Sequence, residues 1–222
     1  MKKNKKRSLF SKIFDLRMLF FDFAKWTAFP FLLLVLRTKR IYVTGKKPKG
    51  LTKGKYLLAS NHISGWDPFI AASTAVTRRI SFVTTVNMYK KCPLFCKLMN
   101  IVEVDKKKPS INVFKRVKDF LERGHIMCMF PEGNISETKE LEAFKAGTVM
   151  MAALSEADIL PIYTGQRKIF TQRQVIIVGE RLKYKDLFKT SSPSKEEINK
   201  ANVLLMEKEK ELENKYNEYY GN

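Results

Sequence analysis

From residue 41 onward, short apolar runs recur between longer stretches with helical spacing, and this alternation restricts the chain to an α/β architecture. The runs fall at 41–44, 56–59, 80–84, 101–104, 126–130, 159–163 and 174–178. Several are continuously apolar rather than alternating, as suits strands covered on both faces. Helical patterns occupy 68–76, 88–99, 110–123 and 143–155, and Gly124 stops the third. A last helix starts near 194, where Ser194 and Glu197 form a capping-box pattern behind Pro193. Ile198, Ala201, Leu204, Leu205 and Leu212 give that helix one apolar stripe. The expected fold is a single α/β domain over 39–222, its central sheet mostly parallel or mixed, with about seven strands flanked by helices.

The amino-terminal segment, 1–38, reads differently. A basic run (Lys2, Lys3, Lys5, Lys6, Arg7) precedes an apolar stretch from Leu9 to Leu36 that Asp15, Arg17, Asp22 and Lys25 interrupt and Pro30 divides. Its longest uncharged piece, 26–36, is too short to cross a hydrocarbon layer of ~30 Å as a helix. Phe20, Phe21, Phe23, Trp26, Phe29 and Phe31 crowd between flanking cations, a composition suited to the membrane interface. The segment is therefore expected to be an amphipathic helical membrane anchor; a hydrophobic helical hairpin packed on the domain is the plainer alternative. The formal net charge of +20 calls for an anionic partner. Nucleic acid would suit the charge alone, but no nucleic-acid module accompanies it and the phenylalanines suit lipid better.

Three cysteines (Cys92, Cys96, Cys128) have no framework spacing and point to a reducing compartment. No Cys/His partner pair completes a zinc site, so no metal is expected. Cys128 lies in an apolar run and reads as a buried small hydrophobe.

Chemistry concentrates at two strand ends. Asn61-His62 stands five residues ahead of Asp67-Pro68 on a strand-to-helix turn. That spacing cannot put His62 and Asp67 on one helix face, but a turn at Ser64-Gly65 can bring them together. A carboxylate can then orient the imidazole and stabilise the cation it becomes on taking a proton. Asp67 could also simply be a helix cap, with Pro68 at the first helical position, and a carboxylate can serve both roles. Phe130-Pro131-Glu132-Gly133 ends another run, at the sheet edge where open α/β folds build their sites. Phe144-Lys145-Ala146-Gly147 follows, then Leu160-Pro161-Ile162, whose proline argues for an edge strand or a local break.

These blocks resemble the glycerophospholipid acyltransferase family, specifically its bacterial lysophosphatidate acyltransferases, over about residues 40 to 180. Asn61, His62 and Asp67 match the family's Asn-His-x4-Asp; Phe130, Pro131, Glu132, Gly133 and Ser136 match its Phe-Pro-Glu-Gly block. Phe144, Lys145 and Gly147 match its Phe-Lys-x-Gly element, and Leu160-Pro161-Ile162 its last block. Lys106 takes the place of an arginine that meets the acceptor's phosphate; Ile135 and Asn134 stand where arginine and threonine are common. An ammonium binds phosphate as a point charge rather than a bidentate fork.

The resemblance implies acyl transfer from acyl-CoA or acyl carrier protein to the sn-2 hydroxyl of 1-acylglycerol-3-phosphate, without a cofactor. His62 would be the base and Asp67 its orienting partner; Asn61, Lys106, Glu132, Gly133 and Lys145 would hold substrate, with Glu132 on the glycerol portion. Backbone N–H groups near Gly133 or at the helix start after Asp67 are candidates for holding the oxyanion. Another lysophospholipid or glycerol-3-phosphate is the alternative acceptor, and a membrane scaffold without catalysis the alternative class. The implied location is the cytoplasmic face of the inner membrane.

Overall fold

The computed structural model describes residues 18–47, 51, 53–105, 110–167, 172–190 and 192–220. The basic amino-terminal run and Lys106 to Lys108 lie outside them. The elements run α1 (Leu19–Leu36), β1 (Lys39–Tyr42), β2 (Tyr56–Ser60), α2 (Asp67–Thr74), β3 (Ile80–Thr85), α3 (Val86–Lys91), α4 (Pro93–Leu98) and β4 (Val102–Val104). Then come α5 (Ile111–Glu122), β5 (Ile126–Met129), α6 (Gly147–Ser155), β6 (Asp158–Thr164), β7 (Val175–Val178), α7 (Tyr184–Leu187) and α8 (Lys195–Tyr220).

All seven expected strands join one sheet, in the order β1-β7-β6-β2-β5-β3-β4. Every pairing is parallel except β6 with β7. β2, β3, β4, β5 and β6 therefore end at one edge, and the loops after β2, β5 and β6 meet there. The continuously apolar strands serve two cores. Leu57, Ala59, Met127 and Met129 face α5, α6 and α8, whereas Tyr56, Leu58, Ile126 and Cys128 face α1 and α2. Cys128 is fully buried, as its apolar run implies.

Pro161 sits inside the sheet, where β6 pairs with β2 on one side. On the other side the β7 ladder ends at Ile162–Val178 and a last bond runs from Gly179 N–H to the Pro161 carbonyl. Pairing resumes only at Ile159 and Leu182. The missing N–H falls at this bulge, so the local-break expectation holds and the edge expectation does not.

Two helices depart from the expected pattern. The stretch 88–99 is not one helix: α3 and α4 are separated at Cys92, whose φ of −139° and ψ of 63° lie outside the helical region. Pro93 is the cause, because its ring disfavours helical geometry in the residue before it. Conversely, α1 runs straight past Pro30 rather than dividing there. It gives up the one backbone bond that proline cannot donate. Its 18 residues are long and apolar enough to cross a membrane, which corrects the shorter reach inferred from the uncharged piece alone.

Candidate active site

The turn after β2 is organised around a single carboxylate oxygen. Asp67 Oδ2 lies 2.9 Å from His62 Nδ1 and accepts the backbone N–H groups of Ile63 and Ser64, each at 2.7 Å. Asp67 makes no capping bond within α2. Its carboxylate faces back across the turn, so the orienting geometry is present and the capping alternative is not. The chain reverses through Asp67 N–H to the Ser64 carbonyl, with Trp66 N–H on Ser64 Oγ. Gly65 stays out of the left-handed region and a Cβ there would meet nothing, so the turn does not depend on its being glycine.

An ionised Asp67 accepts, which makes His62 Nδ1 the donor and leaves the Nε2 lone pair available. The imidazole stacks on Phe130, with centroids 4.1 Å apart and planes 20° from parallel. The side chain is 17% exposed. Two further bonds fix its backbone to the loop after β5: His62 N–H donates to Glu132 Oε1 at 3.2 Å, and Ser136 N–H to the His62 carbonyl at 2.7 Å. Residues 62 and 132, far apart in the chain, thus meet at the ends of adjacent parallel strands.

Glu132 is 2% exposed and its second oxygen, Oε2, is buried with no hydrogen-bond partner among the described residues. Burial pushes its pKa up to about 7; the His62 N–H opposes this, and Glu142, Asp67 and Glu213 add to it. Gly133 has φ of +75° and its N–H donates to the Phe130 carbonyl, so that N–H is already occupied within the turn. The Asp67 and Phe69 N–H groups at the start of α2 are occupied likewise. The N–H groups of Gly133, Asp67 and Phe69 are thus engaged within their own turns in this conformation. The Lys145 side chain lies over Gly133, with Nζ 3.3 Å from where a Cβ would stand, and its backbone N–H holds the Pro131 carbonyl.

Asn61 is buried and clasps the end of β6. Its Oδ1 accepts Thr164 N–H at 2.7 Å and Oγ1 at 3.0 Å, while its Nδ2 donates to the Thr164 carbonyl at 3.1 Å. That use of the carboxamide is internal to the fold. Lys106 lies outside the described residues. No group of three or more His, Cys, Asp or Glu among the described residues could hold a metal ion.

Two grooves meet beside the turn. One, of about 470 Å³, runs between the end of α1 and the turn, lined by Leu32, Val35, Leu36, Trp66, Asp67 and Ile70 among others. The other, of about 500 Å³, lies against α8 and is lined by Tyr163, Lys210, Glu213, Tyr216 and Tyr220. Ile63, Lys139 and Gln166 border both. His62 lines neither wall itself, although its bonded partner Asp67 and its neighbour Ile63 do.

Residues that carry no motif also belong to this neighbourhood. Thr164 holds Asn61, and Glu209 and Glu213 of α8 are buried. The helical spacing offers a signal for Glu209: it lies four residues after Leu205 and three before Leu212, on the buried stripe.

The acyltransferase family profile matches residues 40–165, more than half of the chain. The chain is 28% identical over 168 residues to the 1-acyl-sn-glycerol-3-phosphate acyltransferase of Bacillus subtilis, covering 72% of this chain and 82% of that one. It is 25% identical over 137 residues to a probable 1-acyl-sn-glycerol-3-phosphate acyltransferase of Mycoplasma pneumoniae, covering 58% of this chain and spanning 51% of that protein's length. Among solved structures, the 1-acyl-sn-glycerophosphate acyltransferase of Thermotoga maritima has a similar fold, with a TM-score of 0.56 and 16% identity, over 92% of this chain and 86% of that one.

Proposed function

This chain belongs to the acyltransferase family, and from that premise we propose that it acylates the sn-2 hydroxyl of 1-acylglycerol-3-phosphate at a membrane surface, with an acyl thioester of coenzyme A or acyl carrier protein as donor. The observation that carries the reading is the His62–Asp67 contact of 2.9 Å, braced by two backbone N–H groups on the same carboxylate oxygen. A base so held has one nitrogen committed and one available.

In the proposed reaction His62 Nε2 takes the hydroxyl proton as the acceptor oxygen attacks the thioester carbonyl carbon. Asp67 stabilises the imidazolium that forms. The tetrahedral intermediate then collapses, the carbon–sulfur bond breaks, and the departing thiolate recovers the proton from His62. Products are the ester and the free thiol, and no bond to the protein is made. Glu132 supports the step by holding the His62 backbone, and Lys106 and Lys145 supply positive charge for the acceptor's phosphate.

The proposed location is monotopic on the cytoplasmic face of the inner membrane, the face that the family resemblance implies; the amino-terminal helix supports the interfacial position. Both charges within α1 turn to the domain: Asp22 accepts Arg79 Nε at 2.9 Å, and Lys25 donates to the Arg78 carbonyl at 3.3 Å. Leu19, Phe20, Phe23, Trp26, Phe31 and Leu34 are exposed. A helix tied to the domain near both ends, with apolar residues outward, suits lying in the interface rather than crossing it. Its carboxyl end and Trp66 then place the apolar groove at the lipid boundary.

The test is acyl transfer by purified protein on vesicles, with lysolipid acceptors crossed against both donors. His62→Ala is expected to lower kcat at least about a hundredfold while vesicle binding is unchanged. Substantial turnover by that variant would remove His62 as the base. Equal rates with glycerol-3-phosphate or a choline lysolipid would overturn the acceptor while leaving acyl transfer intact.

A further inference from the structure

We infer that Glu209, on the C-terminal helix, is a positioning residue for the His62 turn: its protonated carboxyl donates to Glu132 Oε2, so that one proton shared by the two glutamates holds Glu132 under the His62 backbone. This rests on the reading of His62 as the base.

Glu209 is 0% exposed, and neither of its oxygens has a hydrogen-bond partner among the described residues. An ionised carboxylate cannot be kept in such a place without a partner; it takes up a proton instead. Burial accordingly pushes its pKa well up, and the charge that adds to this is that of Glu132. A buried carboxylic acid has an O–H that must find an acceptor. Glu132 Oε2 is a buried acceptor in the same condition. The two vacancies are complementary once one proton is placed between them, directly or through one water.

The surroundings favour this pairing over others. α8 packs on β6 and β7, and Leu205, one turn before Glu209, packs in the cluster that holds Ala59 and Met129 near the ends of β2 and β5. Glu209 therefore lies beneath the strand that leads into Phe130-Pro131-Glu132. Glu213, one turn further along α8, is occupied by Lys210 and lies 3.5 Å from the Tyr163 hydroxyl. Asn202 Oδ1 is a buried acceptor too, but seven residues along a helix separate it from Glu209 by roughly 10 Å. The groups acting on Glu132 from other elements, Glu142, Asp67 and Glu213, are acidic and favour a neutral partner over a second anion. The helix that ends the described chain is thereby linked to the turn after β2 through Glu132 Oε1 and the His62 N–H.

Glu209→Gln keeps a donor of nearly the same shape; Glu209→Met fills the space and donates nothing. On vesicles, Glu209→Gln should retain kcat within about threefold and Glu209→Met should lose at least about tenfold in kcat with KM little changed. Both should keep the wild-type circular dichroism spectrum. Infrared spectroscopy supplies a readout that needs no turnover. A protonated-carboxyl band at neutral pH should vanish in Glu209→Gln and shift in Glu132→Gln. Wild-type kcat in Glu209→Met, or a carboxyl band indifferent to Glu132→Gln, would overturn the inference. If the wild type transferred no acyl group at all, the functional reading would fail, and the infrared result would still decide whether the proton is shared.

Discussion

The helices at the two ends of the described chain invert each other's rules. α1 turns its charges inward and its large apolar residues outward, with Trp26 79% exposed. α8 keeps lysines and glutamates on its surface yet buries Glu209 and Glu213 on the stripe that should be apolar. Neither inversion stabilises a protein in plain water: exposed aromatics gain nothing there, and buried acids are costly. Each makes sense with a neighbour, a lipid surface for α1 and the His62 turn for α8. The site lies between them, one groove against each helix.

The largest expected effect comes from removing the outward face of α1. Replacing Phe23, Trp26, Phe31 and Leu34 together by serine should lower vesicle partitioning at least about a hundredfold, since each large side chain contributes about 1.5–3 kcal/mol on leaving water. Sedimentation with vesicles measures it. Unchanged binding would show that α1 meets protein rather than lipid and would end the contrast with α8. Carbonate extraction sharpens the same point, because a helix lying in the interface is released whereas a spanning helix is retained.

The acidic side is broken next, through Glu132. Its folded pKa of about 7 exceeds the ordinary 4.5, so between those values the folded chain holds more protons than the unfolded one. Stability from this group therefore falls as pH rises through that window, by roughly 3 kcal/mol in total, and stays low above it. Glu132→Gln removes that penalty and weakens one acceptor, a loss of about 1 kcal/mol. The variant should melt several degrees above wild type at about pH 8.5, with the difference shrinking toward zero or reversing near pH 4.5. A pH-independent difference would mean that Glu132 is not held against ionisation.

How far these features could be read from sequence follows from how local their causes are. The seven strands were legible because their apolar runs are short and bounded by breakers, and the His62–Asp67 pairing because a five-residue turn encloses it. The break at Cys92 was equally local, written in Pro93, but the apolar spacing on either side masked it. α1 crossing Pro30 was not legible, since packing of Phe21 and Leu36 and the bonds to Arg78 and Arg79 decide it. Nor was the clasp of Asn61 on Thr164, which joins positions 103 residues apart through sheet order alone. Glu209 lay between these cases: its helical phase places it on the buried stripe, but nothing in the sequence names the group inferred to share its proton.

The smallest effect concerns how each helix begins. α1 has no side-chain cap at Met18, whereas α8 opens with a reciprocal box in which Ser194 N–H donates to Glu197 Oε2 at 2.8 Å and Glu197 N–H to Ser194 Oγ at 3.1 Å. The box holds Glu197 below the usual carboxylate range, chiefly through the Ser194 N–H. Ser194→Ala should cost about 1 kcal/mol in denaturant unfolding without changing the cooperativity, because α8 is packed on β6 and β7 along much of its length. The same measurement on a vesicle-bound sample should show the same loss, since nothing at that end of α8 meets lipid in the proposed orientation. A loss that disappeared on vesicles would place the start of α8 at the membrane beside α1, and the two helices would then share one partner instead of having opposite ones.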